Sequence, residues 1–414
     1  MNIVDLSAKK ADLECLKKAI GSSRVVALGE CAHFVREFWE LRQHLFEYLH
    51  EKCGFNFFAM EFGFAEGYRL EKWIKGEGDK TKLSDYSEAA AKWGASETML
   101  WLREYNNTNK NKIRFAGIDI PEAGGTIIPA LSPLQDYIKK ADNSLEAKLN
   151  EIIEIANNFS DLSSLKSIVK WKNISTEKQH KLFAELNKMR LRFEAMENDY
   201  VQLSSQEEYD AAFRLLETAA VTVYMLQSCV EMSSGTGLPY DMSIREKFMA
   251  DSVLWHLNHS EPDARIAVFA HNNHIQKTPV QYGEYKYVYP MGSYLNKYLG
   301  KDYAAFALTT TDDHIPEMVL TDASPVGFNV VDKEIGLPAK GSIENFLTEN
   351  GYKDKPAFIN FQTEEKEIHC FRSQSAYIST SSIKETFNGV FSIPKIWVMG
   401  TEELTQNKIF NKTE

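Results

Sequence analysis

The sequence predicts an α/β protein whose mainly parallel sheet is flanked by helices and interrupted by a large all-helical insertion. Three observations lead to this prediction. Short apolar runs alternate with helical patterns near both ends of the chain, several of these runs end in an ionisable residue, and a long central stretch has only helical patterning. Alternation of strands and helices is typical of βαβ units, which build parallel sheets.

Composition limits the classes of partner. The 414 residues are 43% hydrophobic and 25% charged, which is ordinary for a soluble protein with a full core. A net charge of −11 argues against nucleic acid or an anionic membrane as the main partner. The five widely spaced cysteines form no CxxC pair, which favours free thiols. No signal peptide and no run of about 18 apolar residues is evident, so we expect a cytoplasmic protein, by default a monomer.

The first strand is predicted at Val25–Leu28, after a short amphipathic helix within residues 1–20. Gly29 ends this apolar run and lets the chain turn. Glu30 and His33 therefore lie on a strand-to-helix turn, where open α/β sheets bind ligands.

The helix that follows the turn runs to about Cys53, and its apolar residues recur at helical spacing. Arg42 falls at the edge of this apolar stripe. An arginine half inside a core needs an acidic partner or a ligand, unless its stem lies over apolar surface and carries the charge to solvent. Both explanations remain open at this point.

Three further strands are predicted at 56–60, 113–118 and 264–270. In a mainly parallel sheet the carboxyl ends of the strands lie along one edge. One ionisable residue at a strand end is unremarkable, but four are better explained by a functional site. The residues that end the four runs are Glu30, Glu61, Asp119 and His271.

The helical insertion is predicted at 127–239, which leaves 1–126 and 240–414 as the α/β core. Within it, Ser205-x-x-Glu208 matches a capping box, and Ser243-x-x-Glu246 is predicted to cap the next helix in the same way. After the insertion, strands are predicted at 303–308, 357–361 and 390–393, and helices before Leu299 and at 343–348.

Two pairs of ionisable residues have a spacing that suggests a catalytic or metal-binding role. In Glu30-x-x-His33 the carboxylate could fix the tautomer of the imidazole, so that the other ring nitrogen acts as a base. His271-x-x-His274 suits metal binding, with Glu30 or Glu61 as further ligands, and equally suits donors to a developing oxyanion. The chain has no H-E-x-x-H, G-x-S-x-G or P-loop pattern.

Several longer motifs resemble the erythromycin esterase family, and its type II branch in particular. They are VVALGE-x-x-HF at 25–34, EF-x-x-LR ending at Arg42, EFGFAEG at 61–67, LWLREYN at 100–106, GIDIP at 117–121, KFMADSVLWHL at 247–257 and AHN-x-HIQKTP at 270–279. The resemblance extends over almost the whole chain and weakens within the insertion and after about residue 310.

The resemblance implies a hydrolase that opens the lactone ring of 14- and 15-membered macrolide antibiotics, without a cofactor or bound metal. It implies a cleft between sheet and insertion, and His33 as the general base. Carried over by motif, the other catalytic residues are Glu30, Arg42, Glu61, His271 and His274. We also expect Asp119 to contact substrate, and the cleft walls to be apolar and to come partly from the insertion. Two alternatives remain: a metal-dependent hydrolase of another ester, and a non-catalytic macrolide or polyketide binder.

Overall fold

Strands occur in both halves of the chain, on either side of a long helical region. The computed structural model describes residues 3–7, 13–86, 94–282, 286–361 and 368–400. Within these residues the strands are β1 Ile3–Asp5, β2 Val25–Leu28, β3 Phe57–Gly63, β4 Arg114–Asp119, β5 Ile266–Phe269, β6 Val280–Tyr282, β7 Lys286–Val288, β8 Tyr303–Thr310, β9 His314–Leu320, β10 Phe328–Glu334, β11 Ala357–Asn360, β12 Cys370–Ser373, β13 Ala376–Ser379 and β14 Gly389–Ile393.

Eight strands form one sheet in the order β1-β11-β14-β8-β2-β5-β3-β4. The five neighbouring pairs from β14 to β4 are parallel, and the two pairs that involve β11 are antiparallel. The predicted mainly parallel α/β fold is therefore confirmed. β2, the strand that precedes Glu30, lies between β5 and β8 near the middle of the sheet.

Helices separate many of the strands. The α-helices of the described residues are Glu14–Ile20, Arg36–Cys53, Phe64–Ile74, Leu83–Tyr86, Ser96–Thr108, Ile128–Ala141, Glu146–Asn157, Ser164–Lys172, Thr176–Ala195, Glu197–Leu203, Gln206–Ser234, Ser243–Asn258, Asn272–Ile275, Met291–Leu299, Ile343–Glu349 and Ile383–Thr386. None of the helices in this part of the chain has the length and apolar content needed to cross a membrane.

Both faces of the sheet are buried, which explains why its strands are continuous apolar runs. Along β2 the side chains alternate between two hydrophobic clusters. Val26 and Leu28 belong to the cluster on one face, and Val25 and Ala27 belong to the cluster on the other. All four side chains are fully buried.

Between Ile128 and Ser234 the chain is described without a gap and contains helices and no strand. These helices pack around a third hydrophobic cluster, which includes Trp171 and Phe193. The same cluster also includes Phe64 and Phe248 from helices that cover the sheet. The helical patterning is thus confirmed, whereas the division into a separate domain at 127–239 stays a prediction.

The predicted amphipathic helix within residues 1–20 is only partly correct. Ile3–Asp5 is a strand that pairs antiparallel with β11, and a helix is described at Glu14–Ile20. Residues 1–2 and 8–12 of the predicted segment lie outside the described residues. At Ile3–Asp5 the hydrogen bonds to the edge of β11 outweigh the local helical pattern.

One of the two predicted helix caps is correct. The Ser205 side chain accepts a hydrogen bond from the Glu208 amide at 3.2 Å, as in a capping box. Ser243 does not cap its helix, because its hydroxyl accepts from the amide of Tyr289 at 3.0 Å. The carboxylate of Glu246, three residues later, is directed instead into the site described below.

Three two-stranded sheets were not evident from the sequence: β6–β7, β9–β10 and β12–β13. Of these, the β9–β10 hairpin matters for function because Met318 from β9 reaches the cavity at the edge of the main sheet.

The helix Phe64–Ile74 lies unusually close to β4, and two glycines permit this contact. A Cβ on Gly67 would lie 2.3 Å from the backbone nitrogen of Gly117, and one on Gly117 would lie 2.1 Å from the carbonyl oxygen of Gly63. Backbone atoms cannot give way as a flexible side chain can. The two glycines therefore set the distance between this helix and the strand that ends in Asp119.

We expect Gly67→Ala to lower the free energy of unfolding by about 1–3 kcal/mol, since overpacking outweighs the gain of about 1 kcal/mol in helix propensity. Urea unfolding measures this difference. Gly336→Ala is the matched control, because nothing lies within 4 Å of a Cβ at that position. A Gly67 variant as stable as the Gly336 variant would contradict the close contact.

Candidate active site

A cavity of about 220 Å³ lies at the edge of the sheet where β2, β3, β4 and β5 end. One part of its wall is apolar and aromatic, as expected, and comprises Phe34, Trp39, Met60, Phe62, Phe269 and Met318. The remainder is unusually rich in ionisable groups, which are Glu30, His33, Arg42, Glu61, Glu66, Asp119, Glu122, Arg245 and His274. No residue of the helical insertion at 127–239 lines this cavity, contrary to expectation.

Glu30 connects two of the predicted site residues. One of its carboxylate oxygens accepts from His33 Nδ1 at 2.7 Å, and the other accepts from Arg42 Nη1 at 2.9 Å. Arg42 Nη2 donates to the carbonyl oxygen of Ala270 at 2.9 Å, just beyond β5. Arg42 is therefore buried with an acidic partner, which decides between the two explanations that the sequence left open.

The protonation states of this pair are coupled. Burial raises the pKa of Glu30, but the charge of Arg42 and the hydrogen bond from His33 outweigh burial and lower this pKa overall. Burial lowers the pKa of His33, but the hydrogen bond and charge of Glu30 outweigh it, and the pKa of His33 is raised above its ordinary value. Of the two carboxylates considered for this role, Glu30 is the one with a described hydrogen bond to the His33 ring.

The backbone next to His33 is strained and is held from outside the turn. Phe34 has φ +64°, which is rare for a residue with a side chain. Its carbonyl oxygen accepts from the amide of Met399 at 2.9 Å, and the Arg36 amide donates to Trp397 at 3.1 Å. Strain of this kind persists only where the surroundings enforce it and is common at functional sites.

Glu61 lies where the pairing of β3 with β4 shifts register, between Met60 and Gly63. Such irregularities redirect side chains next to active sites. One oxygen of Glu61 accepts from His274 Nε2 at 3.1 Å and from Arg245 at 3.2 Å, and the other accepts from the His271 amide at 2.9 Å. Burial raises the pKa of Glu61, but the charge of His274 outweighs it, so this pKa lies well below its usual range.

Arg245 was not recognised in the sequence. It extends from the helix Ser243–Asn258, and its Nε donates to Asp119 at 2.9 Å while Nη2 is shared between Asp119 and Glu61. Both oxygens of Asp119 accept from Arg245. The predicted contact of Asp119 with substrate therefore stays a prediction, since the structure shows this carboxylate positioning an arginine.

His271 lies behind the cavity wall rather than on it. Its Nε2 donates to the carbonyl oxygen of Cys31 at 3.0 Å, and its Nδ1 accepts from the Asn273 amide at 3.1 Å. Burial, with the nearby charges of His33 and His274, lowers the pKa of His271 to about 3. Its ring packs edge-on against that of His33, with centroids 5.2 Å apart.

His274 has the opposite character. Its Nδ1 donates to Glu246 at 2.7 Å and its Nε2 donates to Glu61 at 3.1 Å. Burial lowers the pKa of His274, but the two carboxylates outweigh this effect and raise it to about 10. Glu246 also accepts from the Met291 amide at 2.9 Å. The sequence pattern assigned Glu246 to a helix cap, and only its contact with His274 identifies it as part of the site.

The four side chains considered for a metal do not form a ligand set. His271 uses both ring nitrogens within the protein, and His274 lies between two carboxylates as a cation. Among the residues that the structure describes, the group with three ligand atoms close enough to share one ion is Asp312, Asp313 and His314, outside the cavity lining.

A cysteine nucleophile has little support either. Cys31 is fully buried, and burial raises the pKa of its thiol to about 12. Its role is to supply the carbonyl oxygen that accepts from His271 and to pack into the hydrophobic cluster around β2.

Comparison with known proteins is consistent with these motifs. The family model described as erythromycin esterase matches residues 50–396. The erythromycin esterase type II of Escherichia coli is 32% identical over 387 residues, which cover 93% of this chain and 92% of that protein. The type I enzyme of Escherichia coli is 27% identical and covers 92% of this chain and 93% of that protein. The resemblance to the type II branch is confirmed.

A solved structure has the same fold. A mutant of the erythromycin esterase EreC in its open conformation superposes with a TM-score of 0.88 at 26% identity, over 96% of this chain and 98% of that one. The likeness therefore includes the sheet, its flanking helices and the helical region.

The two histidines of the 271–274 segment should differ in charge at pH 7. In ¹⁵N-histidine NMR we expect the signals of a neutral ring protonated at Nε2 for His271 and of an imidazolium for His274, since their pKa values are about 3 and about 10. His271→Asn and His274→Asn assign the signals. Glu246→Gln should lower the pKa of His274, because the negative charge of Glu246 makes the largest contribution that raises this pKa. Two rings that both titrate near the ordinary histidine pKa would contradict the described network.

Proposed function

This chain belongs to the erythromycin esterase family, and we infer from this membership that it is an ester hydrolase that acts on macrolide lactones. We propose further that its substrates are 14- and 15-membered macrolides, that it acts without a bound metal or other cofactor, and that it is a cytoplasmic monomer. Opening the lactone ring would inactivate such an antibiotic.

The observation that carries this proposal is the hydrogen bond between His33 and Glu30 at the cavity wall. Because Nδ1 donates to a carboxylate at 2.7 Å, Nε2 is the nitrogen whose lone pair can accept a proton. Glu30 is itself fixed by Arg42, so rotation of the imidazole would break its hydrogen bond to a carboxylate that is held in place. This arrangement favours His33 as the general base and needs no nucleophilic side chain.

We propose direct attack by water. Nε2 of His33 removes a proton from water as the water oxygen bonds to the ester carbonyl carbon. The resulting tetrahedral intermediate then breaks its bond to the ring oxygen, which takes the proton back from the His33 imidazolium. The product is one ring-opened molecule with a carboxyl and a hydroxyl group. Only neutral His33 can begin this sequence, so kcat/KM should rise with pH through its raised pKa.

The structure favours Arg245 as the donor to the oxyanion. His271 and His274 use both of their ring nitrogens in protein contacts, and both terminal nitrogens of Arg42 are bonded as well. Arg245 lines the cavity, and no hydrogen bond of its Nη1 to another described residue is found. One such donor contributes about 3–4 kcal/mol in other acyl-transfer enzymes. We propose that His271, His274 and Arg42 act as positioning groups, because their described hydrogen bonds are to other parts of the protein.

The size of the cavity limits how a macrolide can bind. Drug-sized ligands occupy pockets of about 300–1,000 Å³, and this cavity has about 220 Å³. We propose that the ester bond and its neighbouring atoms enter the cavity beside His33, against the apolar wall, while the remainder of the macrolide lies outside the cavity.

The oriented imidazole of His33 favours an enzyme over the alternative of a non-catalytic binder, because a binder would not need it.

Erythromycin incubated with the purified protein should gain the mass of one water, both with and without a chelator. Mass spectrometry measures the product. Product in the untreated tube alone would favour the metal-dependent hydrolase, whereas thermal stabilisation by erythromycin without product would favour the non-catalytic binder.

We expect His33→Ala to lower kcat/KM for the lactone by more than about a hundredfold, because it removes the general base. Circular dichroism and thermal unfolding verify that the variant is folded. His44→Ala is the matched control, since His44 is exposed on the helix that follows His33. Near-normal turnover by a folded His33→Ala enzyme would exclude the proposed mechanism.

A further inference from the structure

Glu66 is a carboxylic acid in the cavity wall, and it takes no part in the hydrogen bonds that join Glu30 to His33 and Arg42. It lies in the first turn of the helix Phe64–Ile74 and is only 6% exposed. One oxygen, Oε1, accepts from the Glu122 amide at 3.1 Å. The other, Oε2, is buried and has no hydrogen-bond partner in the structure. Leaving a buried polar atom unpaired is unfavourable and rare, so this one requires an explanation.

The chain leaves room for this oxygen. A Cβ on Gly63 would lie 2.0 Å from Glu66 Oε2. Gly63 has φ −54° and ends the irregular stretch of β3, so its backbone conformation does not itself demand glycine. The missing side chain instead leaves the space that Oε2 occupies, and Gly63 and Glu66 line the cavity together.

The surroundings of Glu66 are acidic. The titratable and charged groups on neighbouring elements are Glu61 on β3, Asp119 on β4, Glu122 on the turn after β4, Arg245 and His256 on the helix Ser243–Asn258, and Arg214 on the helix Gln206–Ser234. Arg214 and His256 contact the ring of Phe64, two residues before Glu66. Arg245 is bound to Asp119 and Glu61, and Arg214 donates to Glu217, Phe248 and Ser252. None of the described lysine, arginine or histidine side chains forms an ion pair with Glu66.

Burial, and next the charge of Glu122, raises the pKa of Glu66 to about 8. The side chain is therefore mostly a neutral acid at pH 7. Its two oxygens then have different roles. Oε1, which accepts an amide N–H, is the carbonyl oxygen, and Oε2 carries the proton, so that the unpaired atom is a hydroxyl donor without an acceptor.

We propose that Glu66 contacts the substrate, and that its Oε2 donates a hydrogen bond, as a neutral acid, to an oxygen of the bound macrolide. This inference rests on the proposed function, because it takes the substrate to be a lactone rich in hydroxyl, ketone and ether oxygens. Glu66 is thus a specificity-determining residue and takes no part in the proton transfers at His33. A hydrogen-bond donor in the cavity wall that has no acceptor within the protein discriminates against substrates that lack a matching acceptor.

The test is a pH series of KM and kcat for erythromycin hydrolysis by the wild type, Glu66→Gln and Glu66→Ala. Glutamine keeps the shape, the acceptor and a neutral donor, so we expect its KM at pH 7 to lie within about threefold of the wild type. Alanine should raise KM about tenfold, the equivalent of about one lost hydrogen bond, and change kcat little. Glu97→Gln is the control, since Glu97 is an exposed carboxylate on the helix Ser96–Thr108.

The pH dependence separates a donor from a merely structural side chain. As pH rises through about 8, wild-type Glu66 loses its proton, and the KM of the wild type should rise relative to that of Glu66→Gln. Ionisation of erythromycin affects both enzymes equally and cancels in this ratio. A constant ratio, or a glutamine variant as impaired as alanine at pH 7, would overturn the inference and leave the proposed function intact. No hydrolysis by the wild type would instead contradict the proposed function and this inference with it.

Discussion

The buried ion pair between Arg42 and Glu30 is the interaction on which the rest of the site depends. It joins the end of β2, the following helix and the end of β5, because the same guanidinium also donates to the carbonyl oxygen of Ala270. The second oxygen of Glu30 then orients His33. Removing one partner of such a pair leaves a buried charge and costs about 3–5 kcal/mol. The position of the proposed base is thus fixed by the same contacts that hold two strand ends together.

A second network contains His271, His274 and Glu61, and its two histidines differ in charge. His274 is a cation because two carboxylates enclose it, whereas burial and the nearby charges of His33 and His274 keep His271 neutral. The two rings are three residues apart in sequence, with centroids 6.5 Å apart, yet their pKa values are displaced in opposite directions. Glu61 lies at the centre of this second network, since it accepts from His274, from Arg245 and from the His271 amide.

Much of this site could be predicted because the carboxyl ends of parallel strands must meet at one edge. Glu30, Glu61 and Asp119 follow directly from that rule, and the surrounding motifs identify the family. Arg245, Glu246 and Glu66 could not be found in this way. All three lie on helices that flank the sheet, where a charged residue has no local signal to distinguish it from a solvated face. Glu246 even matched a capping pattern, and only its contact with His274 in three dimensions reveals its role.

The central place of β2 in the sheet has a consequence for synthesis on the ribosome. Its neighbours are β5 and β8, and Val25 pairs with Ile266, which is 266 − 25 = 241 residues later. At about 5–20 residues per second, the nascent chain carries β2 without a partner for on the order of 10–50 s. An apolar strand with both edges unpaired is prone to associate with other chains. The arrangement that places Glu30 in the middle of the sheet therefore makes the unfinished polypeptide a natural client for chaperones.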